Sequence, residues 1–394
     1  MSDCLSPEEV FEGFSVPEHV RNFEHAPGTK VRFGCGLLEI VGQEAVRLGR
    51  RAMIVTDPGL VDAGYAGRAL RSLEKAGIIT TVFAEVHQNP TTADIRRTVR
   101  AAQESEIDLL VGLGGGSSMD AAKGCNFILT NGGEMKDYWG REKASKPMLP
   151  LIAIPTTAGT GSECQSFALI ADEHTHAKMA CGDKKAAARV AILDPELTLS
   201  QPSQVTADTA IDAISHAIES YVSRAANDIS RSYALSGFRL MEDGIRRVAT
   251  NPSDLLGRAR MQLGAAMAGT AIENSMLGAA HSMANPLTAH FNIIHGQAVG
   301  TALPAVIRRN SQDPAVAARY HELLASGPLD AWVSARLKDL NLATSLSDLK
   351  VPGDRIPMLA REASTQWTAQ FNPISFDSED FAELYHACWS EGVH

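Results

Sequence analysis

The residues with the clearest capacity for chemistry are a carboxylate and an imidazole, Asp212 and His216, four positions apart in the segment TADTAIDAISHAIESY. Residues at i and i+4 share one face of a helix, so their oxygen and nitrogen atoms can converge on one ion. Two more histidines, His281 and His295, follow in the run GAAHSMANPLTAHFNIIHG. Their neighbours are small and apolar, and buried imidazoles need specific partners. One carboxylate and three imidazoles therefore predict a divalent-metal site, with a solvated acidic helix face as the alternative for the first pair.

Two loops rich in glycine and hydroxyl groups have the composition of phosphate-binding sites. The first, GLGGGSSMDAAKG, lets backbone amides approach a phosphate closely, and Ser117 and Ser118 can donate where the next helix begins. The second, LIAIPTTAGTGSE, takes a buried strand into a run of threonines and glycines. Either loop alone could be a structural turn, but two of them in one α/β domain favour a shared ligand.

The best strand-end acid, Asp57, lies well before the glycine loop. In the usual dinucleotide-binding fold, the acid that binds the ribose follows that loop by about 20 residues. The loop matches neither GxGxxG, because Ser117 stands at the third glycine's position, nor a Walker loop, because no GK[ST] ends it. The sequence therefore lacks a standard Rossmann fingerprint.

The elements that must position these residues alternate between strand and helix in the first half of the chain. Apolar runs bounded by turn residues predict strands, and segments with helical periodicity separate them. This alternation predicts an α/β domain with a doubly wound, mostly parallel sheet, a variant of the Rossmann fold. The predicted strands are 30–36, 52–55, 80–86, 107–114, 151–155 and 189–198, and the predicted helices between them are 37–50, 67–76 and 93–104.

From about residue 200 onward, almost every segment has the pattern of a helix. The change near 198–202 predicts two domains, an α/β dinucleotide-binding domain at 1–200 and an all-α metal-binding domain at 201–394. The phosphate loops fall in the first and the metal candidates in the second, so we expect the active site in the cleft between them. The predicted helices are 207–222, 229–249, 253–271, 276–289, 297–310, 314–326, 328–340 and 354–364.

Length and composition set the remaining limits. A chain of 394 residues exceeds what one hydrophobic core usually covers, which favours two domains. A formal charge of -10 argues against nucleic acid or an anionic membrane as a partner. The six cysteines form no CxxC pair, the first residues lack the pattern of a signal peptide, and no apolar run approaches the ~20 residues of a membrane span. We therefore expect reduced thiols and a cytoplasmic protein.

Taken together, these residues resemble the group III, iron-containing alcohol dehydrogenase family. The matching segments are GGGSSMDAAK, IPTTAGTGSE and ILDPELT, the D-x3-H of Asp212 and His216, and the H-x13-H-G of His281 to Gly296, and they span nearly the whole chain. The resemblance implies that Asp212, His216, His281 and His295 ligate the metal. It implies cofactor contacts at Asp57, Asn89, Gly115, Gly116, Ser117, Asp120, Thr156, Thr157, Gly159, Thr160 and Lys178.

By the same resemblance, the protein transfers a hydride between a nicotinamide dinucleotide and a small primary alcohol or aldehyde bound to a divalent metal. Asp57 matches the acid that binds the ribose 2′-hydroxyl and would repel a 2′-phosphate, so NAD is favoured over NADP. Fe(II) is the expected metal, although one aspartate and three imidazoles also accept Zn(II), Mn(II) or Co(II).

Three alternatives stay open at this point. A maleylacetate-reductase-like enzyme shares the fold but typically lacks a metal. A lyase or cyclase of the dehydroquinate-synthase type combines NAD with a metal but uses a different ligand set. The third alternative is a catalytically weak protein that binds a metal and a nucleotide.

Two positions depart from the family pattern. Asn285 stands four residues after the third ligand, where the family often has a histidine that relays a proton. His290 is a candidate to relay the proton instead. The alternative is that His290 is simply a residue of the hydrophobic core. Phe167 stands where some relatives carry a polar side chain, which implies a more apolar pocket.

Relatives commonly form dimers, so we expect a homodimer in which Lys30 to Phe33 pair with the partner's strand, unless that edge is covered within its own subunit.

Overall fold

The structure is a computed structural model that describes residues 28–175 and 177–389. Within these residues, one compact unit ends at Gln201 and a second begins at Pro202. The expectation that the first residues form no signal peptide concerns residues 1–27, which lie outside the described residues.

A parallel sheet of six strands forms the centre of the first unit. Its strands are β1 (Lys30–Phe33), β2 (Arg51–Val55), β3 (Ile79–Phe83), β4 (Leu109–Gly114), β6 (Leu151–Pro155) and β9 (Val190–Leu193). Their order across the sheet is β1-β9-β6-β4-β2-β3, and all five pairings are parallel. The order reverses direction between β2 and β4, which is the position where α/β sheets usually bind ligands.

Helices cover both faces of this sheet, as the predicted doubly wound fold requires. Met53 and Val55 of β2 belong to one buried cluster, whereas Ala52 and Ile54 belong to another on the opposite face. Burial on both faces explains why the central strands are continuous apolar runs. The helices of this unit are α1 (Val41–Ala45), α2 (Pro58–Asp62), α3 (Tyr65–Lys75), α4 (Thr92–Glu104) and α5 (Gly116–Asn131).

Several features of the first unit differ from the sequence-based expectation. The helix predicted over 37–50 is a 3-10 turn at Leu37–Ile40 followed by the short α1. A small sheet of β5 (Gly140–Arg141), β8 (Lys178–Gly182) and β7 (Phe167–Ala171), in that order, is absent from the predicted elements. The strand predicted over 189–198 ends at Leu193, because Pro195 cannot donate to a ladder and begins a short 3-10 turn. Asp194 caps that turn and accepts hydrogen bonds from the backbone amides of Gly36 and Leu38.

The second unit is helical, as predicted. Each of the eight predicted helices has an observed counterpart whose ends differ by a few residues, and one further helix, α14, is absent from the predicted set. The helices are α6 (Ser203–Val222), α7 (Asp228–Thr250), α8 (Leu255–Glu273), α9 (Ala279–Phe291), α10 (His295–Asn310), α11 (Pro314–Leu323), α12 (Leu329–Asp339), α13 (Ile356–Ser364) and α14 (Ser378–Trp389). Among the described residues, none of the helices combines the length and the apolar character that a membrane span needs.

Helix α6 is the central helix of this unit. It packs against α7, α8, α10 and α11, and every residue from Ala210 to Val222 is buried. The acidic face predicted for it is buried as well, because Asp208, Asp212 and Glu219 are each 5% exposed or less. A solvated acidic face is therefore excluded, and these carboxylates need partners inside the protein.

Candidate metal centre and cofactor loops

One stripe of α6 carries three of the polar groups at the candidate metal centre. Asp212, His216 and Glu219 stand at i, i+4 and i+7, so they lie on the same helix face. The Nε2 atom of His216 is 3.4 Å from Oδ1 of Asp212. The predicted pairing of an aspartate and a histidine on one helix face is therefore present in the structure.

The other two histidines approach the same carboxylate oxygen. Nε2 of His281 lies 3.6 Å from Asp212 Oδ1, and Nε2 of His295 lies 4.0 Å from it. Two ligand atoms about 2.1 Å from one ion in tetrahedral geometry lie about 3.4 Å apart. The spacing of Asp212, His216 and His281 is therefore close to that of a single coordination sphere, because their ligand atoms all lie within 4.8 Å of one another. His295 lies at the edge of this group, 4.0 Å from Asp212 Oδ1 but outside that limit for the whole set.

The chain reverses direction to bring His281 and His295 together. Fourteen residues of straight helix would separate them by about 21 Å, yet their ring centroids are 5.4 Å apart. Asn292 ends α9 in a left-handed conformation with φ 53°, and Ile294 is extended, so the chain returns to place His295 at the start of α10.

Close contact between two helices completes the approach of His295. A Cβ atom on Gly296 would lie only 1.9 Å from the backbone oxygen of Asp208. Only glycine allows the start of α10 to touch the backbone of α6 at this point. The glycine of the H-x13-H-G motif thus has a direct structural role.

The donor set fits a divalent metal. Asp212 Oδ1 and His281 Nε2 are buried, and neither forms a hydrogen bond within the described part of the chain. Burial disfavours the ionised form of Asp212, but the three histidines outweigh it and hold the pKa of the carboxyl well below its usual range. Burial likewise disfavours a charged His281, but Asp212 and Glu219 raise the pKa of its ring to about 9. A cation at Nε2 would displace a proton, as is usual for histidine ligands.

Three groups of the expected cofactor residues lie at the carboxyl ends of three adjacent strands. Asp57 follows β2, Gly115 follows β4 and Thr156 follows β6, and these strands are neighbours in the order β6-β4-β2. The point where the strand order reverses lies between β2 and β4. The sheet therefore places Asp57 and the glycine loop on either side of it, where a dinucleotide would be expected.

The loops at this edge pack directly against one another. The amide of Asn89 donates to Ser117 Oγ (3.2 Å), and the amide of Thr156 donates to the Gly114 carbonyl (3.0 Å). A Cβ atom on Gly116 would lie 2.6 Å from a methyl carbon of Thr160. Helix α5 begins at Gly116, so the amides of its first turn lie inside this cluster and suit a phosphate.

Asp120 and Lys178 take part in a network beside the second loop. Asp120 is 9% exposed and accepts a hydrogen bond from Ser162 Oγ (3.1 Å). Burial raises the pKa of Asp120 to about 6, and Lys123 and Lys178 oppose that rise. Ser162 of the second loop thus binds Asp120 directly.

Lys123, which the sequence analysis did not single out, is fully buried and holds the segment after the second loop. Its Nζ lies within 3.0 Å of four oxygens, the Ser162 carbonyl and hydroxyl and the carbonyls of Gln165 and Phe167. A buried ammonium persists only when its protons are satisfied in this way. Lys123 thus joins α5 to the end of the loop that starts at Thr156.

Replacing Lys123 by methionine should destabilise the first unit by about 3 kcal/mol, because the four oxygens lose their buried donor. The loop should also loosen, so the Kd for NADH should rise. Chemical denaturation and fluorescence titration with NADH measure both effects. The control is Lys136→Met, since Lys136 is 67% exposed and forms a surface ion pair with Glu134; equal stability of the two variants would contradict this role.

The buried carboxyl group of Glu163 should make the stability of the protein depend on pH. It is 3% exposed, and burial raises its pKa to about 7. A folded-state pKa above the unfolded value stabilises the protein at low pH, and this stabilisation is lost as the pH rises through about 7. Wild-type stability should therefore fall by up to about 3 kcal/mol between pH 5 and pH 8 from this group. Glu163→Gln should flatten that fall in urea denaturation curves, and an unchanged slope would refute the assignment.

The structure also places the residues that depart from the family pattern. Asn285 Nδ2 donates to Gln366 Oε1 (3.0 Å) one turn after His281. His290 is 39% exposed, and its Nε2 lies 2.8 Å from the Glu362 carboxylate. His290 therefore forms a hydrogen bond to a carboxylate at the surface and is not a core residue. Phe167 is 7% exposed, with its ring against Gly182.

Comparison with known proteins agrees with both units. A family model described as iron-containing alcohol dehydrogenase matches residues 28–195, and one for the C-terminal part of the Fe-containing alcohol dehydrogenase family matches residues 206–389. Alcohol dehydrogenase 4 of Schizosaccharomyces pombe is 35% identical over 363 residues, covering 90% of this chain and 86% of the relative.

Solved structures give the same result. A 1,3-propanediol oxidoreductase has a TM-score of 0.89 and 29% identity, covering 94% of this chain and 100% of its own. Sulfoacetaldehyde reductase from Bifidobacterium kashiwanohense, solved in complex with NAD+, has a TM-score of 0.85 and 27% identity over the same shares of the two chains. With both halves matched and the donors of a metal site assembled, the chain belongs to the iron-containing alcohol dehydrogenase family and is an oxidoreductase of that class.

Proposed function

We propose that this alcohol dehydrogenase transfers a hydride between NAD(H) and a small primary alcohol or aldehyde at one Fe(II) ion, held by Asp212, His216, His281 and His295. The convergence of three Nε2 atoms on Asp212 Oδ1, at 3.4 to 4.0 Å, is the observation that carries the proposal. All four of these ligands belong to the second unit, and the proposed cofactor loops belong to the first.

In this proposal, the residues of the chain bind the metal and the cofactor, orient the substrate and exclude water. Once bound, the metal supplies Lewis acidity to the alcohol or carbonyl oxygen, and the nicotinamide carries the hydride. Asp212, His216 and His281 are nearly inaccessible, which strengthens their electrostatic interaction with an ion. His295 is 25% exposed and is therefore the ligand nearest to solvent.

The proton of the alcohol needs a route that does not use residue 285. The carboxamide of Asn285 does not titrate near neutral pH, and it is already bonded to Gln366. His290 is engaged with Glu362 at the surface. Water and the ribose hydroxyls are the carriers that we propose.

The preference for NAD is tested at Asp57. Its carboxylate also caps α2 by accepting from the Leu60 amide (3.1 Å), so a neutral replacement must keep that cap. Serine is an equally good N-cap, so Asp57→Ser should remove only the charge that repels a 2′-phosphate. We expect the ratio of kcat/KM for NADPH to that for NADH to rise at least about tenfold. An unchanged ratio in initial-rate assays would show that Asp57 does not select the cofactor.

The activity itself is tested by NADH oxidation with short, branched and functionalised aldehydes, using anaerobically prepared protein reconstituted with Fe(II). We expect robust turnover with at least one class of small aldehyde. Binding of NADH without turnover across the whole panel would contradict the proposed reaction. Recovery of stoichiometric zinc from an anaerobic preparation, with iron unable to restore activity, would contradict Fe(II).

We also propose a cytoplasmic homodimer. Strand β1 forms one edge of the main sheet, and its residue Val31 is 43% exposed, so this edge can accept a partner strand. None of the described cysteines forms a disulfide, in line with a reducing compartment. Light scattering tests the dimer, and Val31→Pro should dissociate it, because proline cannot donate to a ladder.

A further inference from the structure

Glu219 contacts the candidate metal centre but is not one of its four expected ligands. It stands at i+7 from Asp212 on α6 and is 4% exposed. Its Oε2 atom lies 2.6 Å from Nδ1 of His281. This is shorter than a typical hydrogen bond between neutral groups and indicates a charge-assisted bond.

This contact determines which ring nitrogen of His281 is available to an ion. A carboxylate only accepts, so Nδ1 of His281 must carry the proton. In the neutral ring, the lone pair is then on Nε2, the atom that faces Asp212 at 3.6 Å. The partner of one ring nitrogen thus fixes the role of the other.

The same carboxylate also fixes the backbone that carries His281. Oε2 accepts from the amide of Gly278 (3.0 Å), and Oε1 accepts from the amide of Ala280 (2.7 Å). Both amides lie at the start of α9, where backbone donors have no partner within the helix. Glu219 therefore holds the first turn of α9 and the ring of His281 at once.

The surroundings leave little room for this segment to move. A Cβ atom on Gly278 would lie 3.0 Å from Glu219 Oε1 and 3.0 Å from Asn372 Oδ1. Asn372 Oδ1 accepts from the amide of Ala279 (3.3 Å), and Asn372 is in turn bonded to Asn310. The start of α9 is thus held by Glu219 on one side and by Asn372 on another.

We propose that Glu219 is a positioning residue that prepares His281 for the metal, by selecting the Nδ1–H tautomer and by anchoring the turn from which the ring projects. This inference rests on the metal site proposed above. In this arrangement, α6 supplies Asp212 and His216 as ligands and, through Glu219, orients the ligand His281, which belongs to α9.

The test is Co(II) binding to Glu219→Gln, measured by competition with a chelator together with the visible d–d absorption of the bound ion. Glutamine keeps the size of the side chain, but its NH2 group would oppose an amide or ring N–H that the carboxylate now accepts. Removing such a partner typically weakens metal binding 10–100-fold, so we expect the Kd to rise by about that factor and the d–d bands to shift. The matched control is Asp194→Asn, which removes another fully buried carboxylate that accepts backbone amides.

The inference holds if Glu219→Gln weakens Co(II) binding while Asp194→Asn lowers only the thermal stability. It is overturned if Glu219→Gln binds Co(II) with the wild-type Kd and spectrum, or if both variants weaken binding equally. If the wild type itself fails to bind Co(II), the metal site proposed above fails, and this inference fails with it. If Glu219→Gln does not fold, NMR of the histidine-labelled, Zn(II)-loaded wild type still tests the inference. The hydrogen bond from His281 Nδ1 to Glu219 requires a downfield Nδ1–H proton for His281. Absence of that signal would refute the positioning role of Glu219.

Discussion

Replacing Asp212 by alanine should abolish metal binding and lower kcat/KM by about 10³-fold or more. Asp212 Oδ1 is the atom on which the three imidazole nitrogens converge, and it supplies the only negative charge among the four proposed ligands. Loss of metal-assisted catalysis removes several kcal/mol of transition-state stabilisation, and each 1.4 kcal/mol is a factor of ten in rate. Metal analysis of the purified protein and initial rates of NADH oxidation measure the two losses.

The chain offers a closely matched control for this variant. Asp208 is one turn earlier on α6, is also buried, accepts a hydrogen bond from Gln204 (3.1 Å), and is not one of the four proposed ligands. Asp208→Ala should keep one metal per chain and most of the activity. Equal loss of metal in the two variants would mean that α6 is merely destabilised and that Asp212 has no special role.

The second large effect is expected at Gly296. Its Cβ would overlap a backbone oxygen of α6 at 1.9 Å, and a backbone atom cannot rotate away as a side chain can. Gly296→Ala should therefore push α10 away from α6, destabilise the protein by about 3 kcal/mol or more, and displace His295. A displacement of about 1 Å can cost about 10²-fold in rate, so activity should fall at temperatures where the variant is still folded.

Gly300→Ala separates this clash from a general intolerance of α10 to substitution. The nearest atoms to a Cβ there are side-chain atoms of Ile211 and Leu337, at 2.9 Å, which can shift where a backbone atom cannot. Alanine also favours a helix over glycine by about 1 kcal/mol, which offsets part of the cost of this crowding. The loss of stability should therefore be clearly smaller than for Gly296→Ala. Thermal unfolding and rate measurements on both variants test the contrast, and similar behaviour of the two would contradict it.

The fold was largely predictable because its signals are local. The central strands are buried on both faces and therefore read as unbroken apolar runs, and turn residues mark their ends. The small sheet was missed because β5 has only two residues and β7 and β8 pair with each other rather than following the alternation of the main sheet. Helix α14 was missed although Phe381, Leu384, Tyr385 and Cys388 have helical spacing and are all buried.

The site was predictable only where spacing along the chain carries the information. The i, i+4 spacing of Asp212 and His216 indicated a shared face, and the same spacing rule extended to i+7 would have found Glu219. Residue types placed His281 and His295 among the candidate ligands, but how the two meet could not be derived from them, because it depends on the reversal at Asn292 and on the close contact at Gly296. Lys123 was missed because a lysine on a helix is ordinarily exposed, and only the tertiary structure shows its four acceptors.

The most direct test of the central claim, that catalysis requires one metal ion held by this donor set, is an anaerobic reconstitution titration. Protein stripped by a chelator is given increasing Fe(II), and aldehyde-dependent NADH oxidation is measured at each step. The account predicts almost no activity without metal and a linear rise that breaks at one ion per chain. Full activity in the stripped protein, or activity that does not depend on added metal, would contradict it.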